Sequence, residues 1–564
     1  DSTREILSVL KQSGAIVGYP VSPVLIINGE YVHIRPSDSL DEYFVYKGKP
    51  ANHEELKMAI ENAVKKALQV KNFGFDCVMI GFGGEGLSGL MLSKWNKRTD
   101  EYGGSLDNKC RWAVEYATAI RKALGPDFPI IARVGRTLGP VKESYTEDES
   151  VYLCKLLAPY VDLFVSSNGM DTYGKTIEHY ECNVHGQTTV FEPKDYNLAW
   201  CERVRKETGK PIFINCGVTG SPAVVEQWIR EGKVDGVSMA RQLFADPFWP
   251  KKAEEGREED IVPCLRCNYC YHISTVHQNV QCSVNPRFRR ENRVPLEMEK
   301  TKHPKKVVVV GGGPAGLRAA LWADEKGHDV TLIEKSDRLG GLINYADYGK
   351  YKKELREFRD YLLVQIRKSN VKVLLNMKAT KELVESLEPE GLIICTGSRP
   401  IVPNIKGIEK AEGILDAYPK MHEYEGKIIV IGGGAIGAEA ALELAEEGKE
   451  VVLIEAGDTI SSKENWLYRI AQRQHMDNCK KLRRLLKSKV VEIKEDGVIV
   501  EKEDGSVEKI EGEHILYSVG MRSNKEDAFE LYGITPNTTM VGDCRRVGHV
   551  LDCTNEAYFA AVNI

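Results

Sequence analysis

The sequence of 564 residues lacks any apolar run of about 18 residues, the length that a membrane-spanning helix needs. Its first residues, DSTREILSVLKQSG, also lack the basic, then apolar, then small-residue pattern of a secretion signal. No basic tract stands out, and a formal net charge of -5 gives no electrostatic footprint for nucleic acid. These absences predict a soluble protein with neither a membrane nor a nucleic-acid partner.

Cysteine is sparse for a disulfide framework, because fourteen residues are spread through a long chain. Four of them cluster, which indicates a metal site, so a reducing cytoplasm is the expected compartment. Hydrophobic residues make up 42% and charged residues 28%, as in ordinary globular proteins. A chain of this length exceeds one hydrophobic core, so we expect three or four domains.

Residues 1–250 alternate short apolar, β-branched segments with polar segments of helical length. This alternation predicts parallel strands joined by crossover helices. We count six such units, whereas a closed (β/α)8 barrel needs eight. The predicted strands are 15–19, 77–82, 130–134, 163–166, 211–215 and 236–239.

A cysteine-rich segment, PCLRCNYCYHISTVHQNVQCSVNP, follows the alternating region. It places Cys264, Cys267, Cys270 and Cys282 in the spacing Cys-x2-Cys-x2-Cys-x11-Cys. Thiolates at every third residue can surround several metal atoms, and soft sulfur ligands suit iron–sulfur clusters or zinc. Structural zinc more often has two Cys-x-x-Cys pairs or histidine ligands. The spacing therefore favours a [4Fe–4S] cluster, with structural zinc as the alternative.

Two segments, at 306–335 and 427–456, repeat the pattern strand, Gly-rich turn, helix, strand and acidic residue. This pattern binds dinucleotides, because the turn admits a pyrophosphate at the helix N-terminus and the acid binds the ribose. Two complete copies in one chain are a strong signal. The glycines and acids are Gly311, Gly313, Gly316 and Glu334 in the first copy and Gly432, Gly434, Gly437 and Glu455 in the second.

The residues around the two copies indicate which nucleotide each binds. A carboxylate at Glu455 repels a 2′-phosphate, which favours NADH over NADPH. Arg338 and Gly341 follow the first copy and lie in a run of small residues that lets the chain pass close to a flavin. Further along, a strand ends in Thr396 and Gly397. A later apolar strand ends at Asp543, whose carboxylate is suited to FAD hydroxyls.

These motifs, together with NKRTDEYGGS at residues 96–105 and CSVNP after the fourth cysteine, resemble the multi-domain Old Yellow Enzyme family. Its members include 2,4-dienoyl-CoA reductase, trimethylamine dehydrogenase and the bile-acid and enoate reductases of anaerobes. The resemblance implies an α/β fold: an FMN-type (β/α)8 barrel, an Fe–S segment and two Rossmann-like dinucleotide-binding domains. Because the first two barrel strands have no counterpart, we expect the sequence to omit part of the barrel.

The resemblance also implies a division into four functional regions. The expected regions are 1–253 for FMN and substrate, 254–303 for the [4Fe–4S] cluster, 304–400 with 525–564 for FAD, and 401–524 for NAD(H).

Within the barrel, the resemblance implies residues for FMN. Arg133 would face the pyrimidine edge of the flavin, where a fixed positive charge stabilises the reduced anion. Gly217 and the backbone of Ala240 and Arg241 would hold the phosphate. From the residues alone, Arg133 is an ordinary surface arginine at a strand end.

Catalytic residues are harder to assign, because the histidine pair that the family usually has after the strand 77–82 is absent. The sequence there reads GFGGEG, which leaves Glu85 as a polar contact for the substrate. Tyr173 lies where the dienoyl-CoA reductase type has its catalytic histidine, so we expect it to donate the proton. Its alternative interpretation is an exposed loop tyrosine, and His179 and His185 in the same segment are the next candidates.

The resemblance implies an NADH-dependent reductase in which electrons pass from NADH to FAD, the cluster, FMN and finally a C=C bond. The expected substrate is an α,β-unsaturated carbonyl or thioester: an enoate, an enone or an enoyl-CoA. Two alternatives stay open, a degenerate electron-relay or structural subunit and an amine-type dehydrogenase. The oligomeric state, monomer or homo- or hetero-oligomer, is also open.

Overall fold

The computed structural model describes most of the chain, which divides into two compact units, Asp1–Met239 and Ala240–Ile564. None of the helices it describes is long and apolar enough to cross a membrane. The described residues are 2–27, 30–37, 48–83, 86–139, 141–169, 186–215, 220–276, 278–295 and 297–564.

The first unit contains the predicted parallel sheet, with its strands hydrogen-bonded in chain order. All five neighbouring pairs are parallel, which confirms the alternating strand–helix pattern. Within the described residues the sheet has six strands and two edges. The strands are Gly18–Val21, Cys77–Phe82, Ile130–Gly135, Leu163–Ser167, Ile212–Ile214 and Gly236–Val237.

Local capping determines where the longest helix of this unit begins and ends. Asn52 accepts a 2.9 Å hydrogen bond from the Glu55 N–H, and Glu55 accepts one of 3.0 Å from the Asn52 N–H. Gly74, with φ of 93°, ends the helix in the left-handed conformation that glycine favours. The described α-helices here are Ser2–Gln12, His53–Phe73, Leu87–Leu92, Leu106–Leu124, Glu147–Leu157, Leu198–Thr208 and Pro222–Arg230.

Alternation along the strands separates a helix-covered face from an open face. On Ile130–Gly135, the side chains of Ile130, Ala132 and Val134 are buried in the core of the unit. Arg133 is exposed on the opposite side of the strand. Short pairings that the sequence did not reveal lie between the first and second strands of the sheet. They are Leu25–Ile27 with Glu30–Val32, antiparallel, and Ile34–Arg35 with Lys49–Pro50, parallel.

The second unit contains two five-stranded parallel sheets in which four strands follow the same order, which confirms the internal repeat. The fifth strand, at the edge, comes last in the chain in the first sheet and first in the second. Each copy of the Gly-rich pattern supplies the central strand and its neighbour. The first sheet has the order Lys372–Leu374, Asp329–Ile333, Lys306–Val310, Gly391–Ile394, Thr538–Met540. The second has the order Leu482–Leu485, Glu450–Ile454, Lys427–Ile431, His514–Tyr517, Glu412–Gly413.

The chain leaves the first sheet after Gly391–Ile394 and returns to it only at Thr538–Met540. The second sheet is therefore an insertion within the first nucleotide fold, as the expected order of regions requires. Antiparallel strands accompany it, Ser398–Pro400 with Met521–Ser523 and the meander Ser488–Lys494, Gly497–Lys502, Val507–Glu511. The exact region boundaries stay predictions.

The helices of the second unit include a long one near the end of the chain, Val550–Asn563. The described α-helices are Arg241–Ala245, Trp249–Glu254, Tyr269–Thr275, Pro314–Glu325, Lys353–Lys368, Lys381–Ser386, Ile414–Ala417, Ala435–Glu446, Trp466–Asn478, Lys525–Leu531 and Val550–Asn563. The described 3-10 helices, across both units, are Ala158–Tyr160, Glu258–Asp260, Gly341–Asp347, Lys350–Lys352, Ile408–Lys410, Met421–Glu423 and Gly542–Cys544.

Candidate functional site

The first Gly-rich turn joins the strand Lys306–Val310 to the helix Pro314–Glu325. Gly311 has φ of 104°, and a Cβ there would collide with the carbonyl of Cys395. A Cβ on Gly313 would instead meet open space, its nearest neighbour being Gly341 Cα at 3.9 Å. The turn therefore leaves room for a ligand directly beside the helix N-terminus, where backbone N–H groups attract phosphate.

A cavity of about 490 Å³ opens beside this turn. Residues predicted to bind FAD line it, and they come from four separate segments of the chain. Gly316 is the exception, because it does not line the cavity; a Cβ there would collide with the Gly311 carbonyl. The predicted residues that line the cavity are Gly311, Gly313, Glu334, Arg338, Gly341, Thr396, Gly397 and Asp543.

Two acids in this cavity are held by local hydrogen bonds. Glu334 accepts from the Gly312 N–H at 2.6 Å and from the N–H and hydroxyl of Ser336 at 2.8 and 2.6 Å. Asp543 accepts from the Ser398 hydroxyl at 2.7 Å. Because carboxylates have further lone pairs, both remain able to accept from ligand hydroxyls. Their contacts with FAD stay predictions.

The second Gly-rich turn repeats this geometry. Gly432 has φ of 103°, and a Cβ on Gly434 would meet no atom within 4 Å. Gly437 packs its helix against the turn, since a Cβ there would collide with the Gly432 carbonyl. Glu455 accepts from the Gly433 N–H at 2.6 Å and from the Gly457 N–H at 2.7 Å. Both turns thus have the open backbone edge that a dinucleotide needs.

The cysteine loop brings the four predicted ligands near one another, since their sulfur charges interact. A tetrahedral zinc site with Zn–S bonds of about 2.3 Å needs sulfur atoms about 3.8 Å apart. No three of the four described sulfur atoms lie within 4.8 Å of one another.

Backbone N–H groups are directed at all four sulfur atoms. Arg266 N–H donates to Cys264 Sγ at 3.4 Å. The remaining donors belong to the residues one or two positions after the other three cysteines. Arg266 and Asn268 have φ of 50° and 58°, so the loop curls its N–H groups inward, as anion-binding and Fe–S loops do. Such bonds stabilise thiolate ligands.

Burial opposes ionisation of these thiols. It raises the pKa of Cys270 to about 12, with a smaller contribution from the neighbouring sulfur charges. Burial also raises the pKa of Cys267 and raises that of Cys282 well above its ordinary value. Thiolates therefore need a compensating cation, which a metal cluster provides.

Residues far away in the sequence hold the loop in place, and no sequence pattern predicted them. Arg266 and Glu354 form a buried ion pair at 3.0 Å, although 88 residues separate them. Asn268 accepts from the guanidinium of Arg241. No local sequence signal could have identified these contacts. The Arg241 side chain therefore contacts the cysteine loop. The contact of its backbone with FMN phosphate stays a prediction.

The barrel-type unit positions one predicted flavin residue in the described part. Arg133 lies opposite Gly81 and Val165 in the sheet register. Gly81 has no side chain, which leaves space beside the exposed guanidinium. The motif at 96–105 has a structural role: Asn96 is buried and donates to the carbonyls of Met91 and Tyr102 at 2.8 and 2.7 Å.

Several predicted residues lie outside the described residues, and their roles stay predictions. They are Glu85, Tyr173, His179, His185 and Gly217. Ala240 is described and exposed.

Comparison with known proteins identifies both parts of the chain. Residues 34–260 match the NADH:flavin oxidoreductase / NADH oxidase family, and residues 305–541 match the pyridine nucleotide-disulphide oxidoreductase family. NADH oxidase of Thermoanaerobacter brockii is 31% identical over 527 residues, 90% of this chain and 78% of that protein. Cinnamate reductase of Clostridium sporogenes is 30% identical over 535 residues, 91% and 78% of the two chains.

A solved structure, a complex of 2-naphthoyl-CoA reductase with 2-naphthoyl-CoA, is 29% identical with a TM-score of 0.84. The match covers 96% of this chain and 82% of the chain in that structure. The chain belongs to the NADH:flavin oxidoreductase / NADH oxidase family, in the multi-domain form that the sequence resembled. It is an oxidoreductase whose cofactors include FMN, FAD and NADH. The expected barrel and Rossmann-type folds are confirmed.

Proposed function

We propose that this protein is an NADH-dependent ene-reductase acting on a C=C bond conjugated to a carbonyl or thioester. The observation that carries the proposal is the combination within one unit of two open nucleotide turns and a loop of four thiols. Only an enzyme that accepts hydride and passes electrons singly has use for all three. The barrel of the same chain matches a flavin oxidoreductase family.

The relatives support this choice of substrate class. One relative is named for cinnamate, which carries a C=C bond conjugated to a carboxylate. Another is named for 2-naphthoyl-CoA, which carries an aromatic ring conjugated to a thioester. Both present an electron-poor carbon to a hydride donor. Hydrogen bonds to the carbonyl oxygen would stabilise the charge that develops there.

Different groups of the chain would bind the different cofactors. The turn at Gly311 and Gly313 would hold FAD, the turn at Gly432 and Gly434 would hold NADH, and the four cysteines would hold a [4Fe–4S] cluster. When bound, the nicotinamide and flavins supply hydride transfer and the cluster supplies single-electron transfer. The four region boundaries given above are part of this proposal.

In the barrel-type unit, Arg133 would supply a positive charge to FMN, as the family resemblance implies. Tyr173 Oη would donate a proton to the α-carbon of the substrate, since a phenol with a pKa of about 10 can protonate a carbanion-like centre. Glu85 would be a polar contact for the substrate, with His185 as the alternative acid.

One sequence feature supports a second candidate function. The segment GFGGEG lacks the histidine pair that holds the substrate carbonyl in the family. A barrel without that pair fits an electron-relay subunit, which would retain NADH oxidation but reduce no alkene. An amine-type dehydrogenase is less well supported, because the open turn at Gly434 and the acid Glu455 fit NADH as electron donor.

Anaerobic assay of the purified holoenzyme distinguishes these functions. Flavin extraction and iron and sulfide analysis give the cofactor content, and a panel of enoates, enones and enoyl-CoA thioesters tests NADH oxidation. We expect both flavins, iron with acid-labile sulfide, and substrate-dependent NADH oxidation. FAD with NADH-driven bleaching but no response to any alkene would support the relay instead. Absence of iron and sulfide would contradict the electron path.

A further inference from the structure

A pair of aromatic rings joins the cysteine loop to the dinucleotide cavity. Tyr269 lies between Cys267 and Cys270, and its ring centroid is 5.1 Å from that of His549. His549 lines the cavity that also contains the turn glycines. Neither ring has a role in the function proposed so far, yet the two connect the two proposed cofactor sites.

Charged groups on three segments face His549. Its Nε2 lies 3.2 Å from Glu464 Oε1, and its Nδ1 lies 3.8 Å from Asp552 Oδ2. The neighbouring carboxylates of Asp552 and Glu464 raise the pKa of His549 to about 9. Arg546 lies 3.9 Å from Asp552 and adds a positive charge beside that carboxylate. The imidazole is therefore a cation at neutral pH and loses its charge as pH rises through about 9.

The surroundings of this pair favour a role for a bound ligand. The helix Val550–Asn563 begins directly after His549, so its positive N-terminal end faces the same cavity. Tyr269 Oη is buried, and within the described residues it has no hydrogen-bond partner. The imidazolium and the helix N-terminus are the positive groups at this end of the cavity, and the carboxylates of Glu464 and Asp552 hold the imidazolium in place.

We propose that His549 is a positioning residue for the flavin in this cavity, holding a positive charge that favours the reduced flavin, and that Tyr269 links it to the cysteine loop. The inference rests on the proposed function, because it needs FAD in the cavity and a cluster on the loop. NADH supplies two electrons and a proton as hydride, the electrons leave singly towards the cluster, and the proton returns to solvent.

The reduction potential of bound FAD in the holoenzyme tests His549. His549→Gln keeps a hydrogen-bonding side chain but removes the charge. At pH 7 we expect the equilibrium constant for flavin reduction to fall about tenfold, which is about 30 mV for a two-electron couple. His549→Lys keeps the charge and should retain the wild-type potential. Between pH 7 and 10, the plot of reduction potential against pH should show an additional break near pH 9 in the wild type. His549→Gln should not show this break.

His475→Gln is the matched control, because His475 also pairs with a glutamate, Glu446 at 3.3 Å, but does not line the cavity. It should leave the potential unchanged. A His549→Gln protein that binds FAD with the wild-type potential and the same pH break would overturn the inference. Failure of the wild type to bind FAD at all would instead overturn the proposed function.

Stopped-flow reoxidation of the reduced flavin tests Tyr269. Tyr269→Leu should slow electron transfer to the cluster about tenfold at unchanged iron content, whereas Tyr269→Phe, which keeps the ring, should not. Tyr424→Leu removes another tyrosine that packs on a histidine, His514 at 4.2 Å, outside the cavity, and should have no effect. Equal rates in the Tyr269→Leu and wild-type proteins would refute the link.

Discussion

The side-chain amide of Asn465 donates a 2.9 Å hydrogen bond to the backbone carbonyl of Cys267, 198 residues earlier in the chain. Asn465 is also the N-cap of the helix Trp466–Asn478, where its Oδ1 accepts from the Tyr468 N–H at 3.1 Å. A single side chain therefore ties a helix of the second nucleotide fold to the cysteine loop. The loop depends on the inserted fold for its geometry.

Asn465→Asp should separate these two roles. The carboxylate still caps the helix, but it has no N–H to donate to Cys267. Because the buried carboxylate would face the Cys267 carbonyl, we expect a lower melting temperature together with faster loss of iron to a chelator. Asn465→Ala removes the cap as well and should cost about 1 kcal/mol of stability. Calorimetry and iron release measured on the same samples check both; equal iron retention in Asn465→Asp and wild type would contradict the role.

Substitution of a cluster cysteine should remove the metal but leave the flavins. In Cys282→Ser we expect loss of iron, acid-labile sulfide and the EPR signal of the reduced cluster, with FAD retained in its separate cavity. Cys479→Ser, outside the loop, is the control and should keep all of them. Stoichiometric zinc in the wild-type protein, measured after anaerobic purification, would show that the loop binds zinc instead of an iron–sulfur cluster.

Substitutions in the two Gly-rich turns should weaken the binding of different cofactors. A Cβ on Gly313 or Gly434 meets no close protein atom, and φ is negative at both, so alanine is compatible with the folded chain. The added methyl group occupies the space of the pyrophosphate. Gly313→Ala should weaken FAD binding about tenfold, or 1.4 kcal/mol, with NADH affinity retained; Gly434→Ala should do the reverse. Flavin content and NADH titration check the pair, and loss of the same cofactor from both would refute the assignment.

The nucleotide folds and the cysteine loop could be predicted because their chemistry is local. Strand, turn, helix and acid lie within about 30 residues in such a fold, so Gly311 and Glu334 carry a readable signal. The same holds for four cysteines with short spacing. In the parallel sheet, alternating apolar segments were sufficient to predict all six strands, with differences at their ends.

The contacts that position the site could not be predicted. Arg266 contacts Glu354, and Asn465 contacts Cys267, only after the intervening segments fold. Short pairings such as Leu25–Ile27 with Glu30–Val32 are too brief to show periodicity. Acid–base residues of a barrel come from the ends of different strands, so one sequence cannot show which of them converge. Glu85, Tyr173 and His185 therefore still depend on resemblance.

Two glutamates on the helix Ala435–Glu446 should give opposite pH dependences of stability. Burial raises the pKa of Glu443 to about 7. Burial also acts on Glu446, but hydrogen bonds from His475, Lys350 and Tyr351 outweigh it and lower the pKa of Glu446 to about 2. Glu443 thus favours folding when protonated, and this stability is lost as pH rises through about 7. Glu446 stabilises the fold when ionised, and this stability is lost as pH falls from about 4.5 towards 2.

Glu443→Gln keeps an acceptor for the Lys350 N–H, which Glu443 now binds at 2.7 Å, without the buried charge. Its melting temperature should equal that of the wild type near pH 5 and exceed it at pH 8, by the equivalent of about 2 kcal/mol. Glu446→Gln should be less stable than the wild type at both pH values. Calorimetry from pH 5 to 8 checks the pair, since a Glu443→Gln protein less stable than wild type at pH 8 would show that the carboxylate is ionised at no cost.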